Sequence, residues 1–240
     1  MRIALVSDIH GCIVALDAVL ADIAQRGVDR IVCLGDIADL GPWPRACLER
    51  IRERDCPTLM GNHDPFYDGQ PVPPIALHEW SKAQLEPGDL AWLRGLPDTL
   101  RFDLGHGRTL LAVHGSPRSY DHQIVAGTPD EKLDDWLADA DADVVVCGHT
   151  HVQLHRRHRG IHVVNVGSVG MPFVAAFDGK STPKMLPWSE YAIVSCTDGE
   201  IDVALLRVDY DVAAFAESAR TSDLPDPEHW LEAWSHAIAM

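Results

Sequence analysis

The stretch IALVSDIH, residues 3–10, is a short apolar run that ends directly in the polar residues Asp8 and His10. Apolar residues then recur at helical spacing over residues 13–23, and a second apolar run follows at residues 31–34. A strand, a helix and a strand in this order predict a β-α-β unit. The fold is therefore predicted to begin with parallel strands that each lead into a polar loop.

Four further polar clusters follow apolar runs along the chain. They are Gly35-Asp36-x-x-Asp39-x-Gly41, Gly61-Asn62-His63-Asp64, His114-Gly115 and Gly148-His149-Thr150-His151. The apolar runs before the last three clusters, at residues 57–60, 109–113 and 144–147, are predicted to be strands. In open α/β sheets, the loops at the carboxyl ends of strands converge on one crevice. We therefore expect all five clusters to meet at one site.

The rest of the chain predicts helices around a second, largely antiparallel half. We predict helices over residues 46–54, 77–85, 89–93, 129–138 and 227–240, and strands over residues 100–104, 153–157, 161–166, 191–195 and 201–208. Trp230 and Trp234 on the terminal helix favour a docking surface. The predicted fold class is α/β, with two mixed β-sheets packed face to face as a sandwich flanked by helices. We predict a single domain over residues 1–240, with cap-like elements at about 65–97 and 170–188.

The composition limits the classes of partner and the compartment. The 240 residues include 20 basic and 36 acidic side chains, a formal net charge of -16, which argues against extended nucleic-acid binding or a membrane-phosphate surface. The six cysteines form no C-x-x-C pair and are predicted to be reduced. No leader peptide or membrane-length apolar run is recognisable. We expect a cytoplasmic protein.

The five clusters, in this order, resemble the calcineurin-like metallophosphoesterases over roughly residues 1–170. The stretch Asn165-x-Gly167-Ser168 is similar to the small bacterial and archaeal phosphodiesterase-type members of that family. The resemblance implies the four-layer fold of the family. It also implies hydrolysis of phosphodiester or phosphomonoester bonds, with nucleotide or dinucleoside polyphosphate substrates among the candidates, by a hydroxide that bridges two metals.

The donor chemistry fits such a centre, because carboxylate, amide and imidazole ligands without thiolate suit hard or borderline divalent ions. The expected cofactors are two divalent metal ions, Mn²⁺ first, with Fe, Zn²⁺, Ni²⁺ and Mg²⁺ as alternatives. The resemblance implies that one metal is held by Asp8, His10 and His151, and the other by Asn62, His114 and His149. Asp36 would bridge them.

The resemblance also implies a general-acid role for His63, which follows the ligand Asn62 in the chain. Asp36 or Asp64 is the expected partner of His63, and Asp36 is counted with it as catalytic. Asp39 and Asp64 are interpreted as residues that orient histidines or loops, and Asp39 is equally well a plain turn former. Three residues are candidates for substrate binding: Asn62, Arg118 and His122. A solvated loop arginine is the competing interpretation of Arg118, and His122 is equally well an ordinary loop histidine.

The apolar segment 171–177 favours stacking on a base or an aryl leaving group, and a homodimer interface is its competing explanation. This segment differs from the Pro-Arg-rich sequence that follows Gly-Ser-Val-Gly in similar proteins. The expected partner is a small phosphoester substrate. Three alternatives stay open: a non-catalytic scaffold, as in the retromer subunit of this fold, a phosphoprotein phosphatase, and a nuclease.

Overall fold

The computed structural model describes residues 1–64, 76–180 and 182–238. The strands are β1 (Arg2–Val6), β2 (Arg30–Cys33), β3 (Leu100–Gly105), β4 (Arg108–Ala112), β5 (Val144–Cys147), β6 (Leu154–His158), β7 (Ile161–Asn165), β8 (Trp188–Thr197) and β9 (Glu200–Asp209). The helices are α1 (Ile13–Ala24), α2 (Pro44–Arg52), α3 (Ala76–Ala83), α4 (Pro87–Arg94), α5 (Asp130–Trp136), α6 (Val212–Thr221), α7 (Pro227–Leu231) and α8 (Ser235–Ile238).

The strands form two mixed sheets, as the sequence predicts. The first sheet has the order β2-β1-β8-β9, in which only β1 and β2 are parallel. The second has the order β3-β4-β5-β7-β6, with β4, β5 and β7 parallel and an antiparallel strand at each edge. The α/β fold class with two sheets and flanking helices is confirmed.

Side-chain alternation along β1 and β5 places the sheets in layers. Ile3 and Leu5 of β1 belong to the same apolar cluster as Val144 and Val146 of β5, so this cluster fills the space between the sheets. Ala4 and Val6 point to the opposite face, where α1 and α2 pack. Val145 and Cys147 face outward onto Leu133 of α5. The order of layers is therefore helices, sheet, sheet and helix.

The second half is largely antiparallel, as predicted: β6 pairs with β7 and β8 with β9 in antiparallel fashion, whereas β5 and β7 are parallel. Three details of the predicted architecture are wrong. Residues 57–60 form an isolated bridge between Thr58 and Cys33 and not a strand. Helix α6 was not predicted. The predicted terminal helix is divided by a 3₁₀ turn over Glu232–Trp234 into α7 and α8.

The C-terminal helices dock on the first sheet's helical layer. Trp234 is 1% exposed and packs with Phe215 of α6, whose ring centroid lies 5.4 Å away. The indole Nε1 of Trp230 donates a hydrogen bond of 2.7 Å to the carbonyl oxygen of Leu40. The aromatic pair is thus an intramolecular packing element that reaches a loop beside Asp39.

Helices α3 and α4 lie where the middle segment predicts helices. Of the predicted cap element 65–97, residues 65–75 lie outside the described residues. Single-domain organisation and the cap roles of 65–97 and 170–188 stay predictions.

Candidate metal centre

Six of the seven predicted ligands follow four strands, two in each sheet, and Asn62 follows the isolated bridge at Thr58. Asp8 and His10 follow β1, Asp36 follows β2, His114 follows β4, and His149 and His151 follow β5. The carboxyl ends of strands from both sheets therefore supply the side chains of one cluster. Most of these side chains are fully buried, with Asp8 at 0% and His10, Asp36 and His114 at 1% exposure.

Five of these residues adopt left-handed backbone conformations. Their φ angles are 54° for Asp8, 47° for His10, 55° for Asp36, 65° for His149 and 57° for His151. Positive φ is unfavourable for residues with a Cβ and is concentrated at functional sites. These φ angles exclude an extended backbone at Asp8, His10, His149 and His151. Tight turns bring each pair together.

Asp8, His10 and His151 form one group. Nε2 of His151 lies 3.2 Å from Oδ1 of Asp8 and 3.3 Å from Nε2 of His10. The Nδ1 atoms of the two histidines are held by backbone carbonyls, that of His10 by Asp39 at 3.1 Å and that of His151 by Met171 at 2.7 Å. These hydrogen bonds direct both Nε2 atoms toward the carboxylate, the arrangement in which metal-binding histidines are oriented.

Asn62, His114 and His149 form the second group. Oδ1 of Asn62 lies 2.8 Å from Nε2 of His114 and 3.0 Å from Nδ1 of His149. Nδ1 of His114 bonds to the carbonyl oxygen of Leu34 at 2.8 Å, which leaves its Nε2 for the site. The three predicted ligands of the second metal therefore converge.

Asp36 lies between the two groups. Its Oδ2 is 3.8 Å from Nε2 of His10 and 3.3 Å from Nε2 of His114. Asp8 approaches both groups as well, because its Oδ1 is also 4.0 Å from Nε2 of His114. Two carboxylates, rather than Asp36 alone, separate the imidazoles of the two groups.

The residues present fit divalent cations. Oδ1 of Asp8 is buried and accepts no well-formed hydrogen bond within the described residues, although imidazole nitrogens surround it. Such an orphaned carboxylate oxygen is costly without a cation. The same described part of the chain brings together potential metal-binding groups of Asp8, His10 and His151, and of Asp8, Asp36 and His114.

The charges of the site favour cation binding. Burial by itself raises the pKa of Asp36, but the adjacent His114 and His63 outweigh it and hold that pKa well below the usual range. Burial lowers the pKa of His10 to about 4 and contributes most to lowering that of His149 to about 4. Neutral imidazoles and ionised carboxylates are the protonation states that metals require. Burial lowers the pKa of His114, but Asp36 outweighs it and raises that pKa to about 10, so this imidazole must lose a proton to bind a cation.

The Asp64 side chain builds the loop that carries Asp36. Its carboxylate accepts backbone N–H bonds from Asp36 and Gly61, both at 2.8 Å, and from Ile37 at 3.0 Å. A Cβ on Gly35, where φ is 92°, would lie 2.3 Å from the nitrogen of Gly61. Asp64 thus orients a loop, as interpreted from the sequence, and glycine is needed where the two backbones touch.

His63 is paired with Asp39, so the prediction that its partner is Asp36 or Asp64 is wrong. Nδ1 of His63 lies 2.9 Å from Oδ2 of Asp39, whereas Asp36 accepts the backbone N–H of His63 at 2.8 Å. Burial opposes protonation of His63, but Asp36 and Asp39 outweigh it and raise its pKa to about 9. The imidazole lies edge-on to His10, with ring centroids 5.2 Å apart, and is 21% exposed.

Arg118 and His122 have partners of their own. The guanidinium of Arg118 forms ion pairs with Asp135 at 2.6 Å and Asp139 at 2.9 Å. His122 bonds to the hydroxyl of Ser116 at 2.8 Å and stacks on Trp136 at 4.2 Å. Substrate binding by either residue stays a prediction, and these contacts weigh against it.

Two further side chains lie beside the centre. The ring of Phe173, in the segment 171–177, stacks on His151 with centroids 4.2 Å apart. His78 of α3 pairs with Asp39. Sequence reasoning missed the contact of His78, because no motif or spacing connects it to the candidate ligands.

The fold is a two-sheet α/β sandwich, and its strand ends bring together carboxylate, amide and imidazole groups. This combination is typical of a metallophosphoesterase. The chain belongs to this class: residues 1–187 match the model of the calcineurin-like phosphoesterase superfamily domain.

Comparisons with individual proteins agree with this family. The chain is 30% identical to an uncharacterized protein of Methanocaldococcus jannaschii, with 95% of each chain covered. It is 28% identical to phosphodiesterase YfcE of Escherichia coli K12, with 72% of this chain and 81% of the relative covered. A metallophosphoesterase structure from Sphaerobacter thermophilus superposes with a TM-score of 0.77 at 30% identity, covering 100% of this chain and 99% of that one.

Proposed function

We propose that this protein is a dinuclear, metal-dependent phosphoesterase that hydrolyses small phosphodiesters or phosphomonoesters. The observation that carries the proposal is the arrangement of two donor groups around Asp8 and Asp36, with the Asp39–His63 pair beside them. Similarity to a phosphodiesterase supports hydrolysis of diesters first.

The two groups of donors divide the cations between them. Asp8, His10 and His151 would hold one ion, Asn62, His114 and His149 the other, and Asp36 would contact both. Two bound divalent ions would activate water and neutralise the charge on phosphoryl oxygens. We propose Mn²⁺ as the first metal to test.

His63 is proposed to donate a proton to the leaving oxygen. Its Nδ1 is engaged by the Asp39 carboxylate at 2.9 Å, so a proton for the substrate would come from Nε2. The raised pKa keeps the imidazole protonated near neutrality, as a general acid requires. Asp39 thus orients the acid and stabilises its charge.

The apolar rim near His151 supports a substrate with an apolar or aromatic group. Phe173 covers one face of His151, and Val174 and Phe177 are 54% and 44% exposed. A nucleotide base or aryl ester would suit this surface. A homodimer interface at the same side chains is the second explanation, and the oligomeric state decides it.

The proposed location is the cytoplasm. All six cysteines are free thiols, which supports a reducing compartment. Within the described residues, no helix has the length and hydrophobicity needed to cross a membrane.

A substrate panel tests the proposed function. Chelator-treated protein would be supplied with Mn²⁺ and assayed on bis-p-nitrophenyl phosphate, p-nitrophenyl phosphate, diadenosine tetraphosphate and a phosphopeptide. We expect metal-dependent turnover of the small esters, diesters first, and none of the phosphopeptide. Absence of metal-dependent turnover on every substrate would favour a scaffold on the same fold.

Divalent metal is expected to stabilise the folded protein. Asp8 and Asp36 are buried and ionised next to each other, so a cation between them removes a repulsion that only the folded state contains. An ion at about 100 times its Kd contributes ~2.7 kcal/mol. For a chain of this size that raises Tm by roughly 5–10 °C. Thermal unfolding of chelator-treated protein with and without Mn²⁺, Zn²⁺ and Co²⁺ measures this rise in Tm. An unchanged Tm with all three metals would contradict the metal centre.

A further inference from the structure

Asp39 connects three histidines. Its backbone carbonyl holds Nδ1 of His10 at 3.1 Å, and Oδ2 contacts Nδ1 of His63 at 2.9 Å. The same Oδ2 pairs with Nδ1 of His78. Asp39 is 1% exposed, so these contacts are made out of water, where a hydrogen-bonded charge is held more tightly.

His78 arrives from a separate part of the chain. It lies on α3, is 5% exposed, and its ring centroid is 5.3 Å from that of His63 at an angle of 32°. One turn further along α3, the Ser81 hydroxyl accepts the backbone N–H of Leu40 at 3.3 Å. Residues three apart face the same side of a helix, so α3 holds the 39–40 segment at two points.

The pairing restricts how the Asp39 carboxylate can turn. A carboxylate is an acceptor only, so the hydrogen bond with His63 is donated by its Nδ1, and His78 presents its own Nδ1 to the same oxygen. The other oxygen, Oδ1, accepts the N–H of Leu40 at 2.8 Å. Rotation of the carboxylate would break contacts to both histidines and to its own loop. With His78 in place, His63 therefore meets its partner in one orientation.

We propose that His78 is a positioning residue that holds the Asp39 carboxylate in the orientation in which it aligns His63. The inference rests on the proposed general-acid role of His63. His78 is not among the predicted metal ligands, and the proposal makes the placement of α3 part of the catalytic geometry.

Two substitutions separate positioning from packing. His78→Leu keeps an apolar side chain but removes the N–H, whereas His78→Asn places an amide N–H near the former Nδ1. We expect kcat to fall about tenfold in His78→Leu, which is the lower end of the range for residues that orient a functional side chain. His78→Asn should recover most of this loss, KM should change little, and the metal content should stay at two ions. Glu79→Gln, at an exposed neighbouring position on α3, is the matched control.

The leaving group supplies a readout that packing would not change. Loss of general-acid alignment slows esters of poor leaving groups most, so His78→Leu should reduce kcat more for a phenyl ester than for the p-nitrophenyl ester of the same diester. Equal losses on both esters, or wild-type kcat in His78→Leu, would overturn the inference. If His78→Leu does not fold, His78→Gln takes its place. The amide of His78→Gln reaches the former Nε2 position and not Nδ1, so its kcat should stay below that of His78→Asn. Inactive wild-type protein would instead refute the proposed function.

Discussion

Asp36→Asn is expected to lose metal and to reduce kcat/KM by about 10³-fold, or ~4 kcal/mol at 1.36 kcal/mol per factor of ten. The wild-type carboxylate lies 3.3 Å from His114 and 3.8 Å from His10, and Asp8 is the other carboxylate between the two donor groups. The amide removes one negative charge from a buried cluster, where lost cation stabilisation is worth several kcal/mol. Metal analysis and initial rates on bis-p-nitrophenyl phosphate measure both effects.

The side-chain amide of the Asp36→Asn variant cannot replace both oxygens of the wild-type carboxylate. Oδ1 accepts the backbone N–H of His63, so the amide oxygen will keep this bond and the NH₂ group will face His114 and His10. An NH₂ group has no lone pair to offer a cation. Asp223→Asn, at an exposed position, is the control and should keep both metals and activity. Two tightly bound ions and wild-type rates in Asp36→Asn would exclude Asp36 as a ligand.

Much of the fold could be predicted because strand signals are local. The apolar runs at β1, β2 and β5 are buried on both faces, and each ends in polar residues that mark its carboxyl end. Pairing of β1 with β8 could not be predicted, because it joins segments almost the length of the chain apart. Helix α6 was missed for a different reason: its buried residues are Phe215, Ala216 and Ala219, too few to give a clear helical stripe.

The candidate ligand set was predictable as residue types, but its geometry was not. Asp8, Asp36, His114 and His149 each lie within three residues of the end of a strand, so their convergence follows from topology. Their left-handed backbone conformations depend on contacts with distant loops. The contact of Gly35 with Gly61 is one example.

The partners of His63 and Arg118 show the same limit. Nothing in the sequence favours Asp39 over Asp36 or Asp64, and only the loop conformation places Oδ2 of Asp39 at 2.9 Å from the imidazole. Arg118 follows the candidate ligand His114 closely in sequence, yet its long side chain reaches Asp135 and Asp139. Proximity in sequence does not fix where a flexible cation points.

His63→Ala is expected to keep both metals and to lose about 10²- to 10⁴-fold in kcat, the range of general acid–base catalysis. The side chain contacts Asp39 and lies beside His10, but the metal donors on either side of it are separate residues. Its backbone N–H, which bonds to Asp36, is unchanged by the substitution. Single-turnover and steady-state rates, together with metal analysis, separate loss of chemistry from loss of cations.

The leaving group decides whether the lost step is proton donation. If His63 protonates the leaving oxygen, His63→Ala should lose least on p-nitrophenyl esters, whose leaving group needs little protonation, and most on phenyl or alkyl esters. His229→Ala, at a position 77% exposed, is the control for removal of an imidazole. Uniform losses on all esters would assign His63 to charge stabilisation of the phosphoryl group instead. Because Asp39 accepts from His63 through the same oxygen that pairs with His78, Asp39→Asn should reproduce the leaving-group dependence of His63→Ala with a smaller loss.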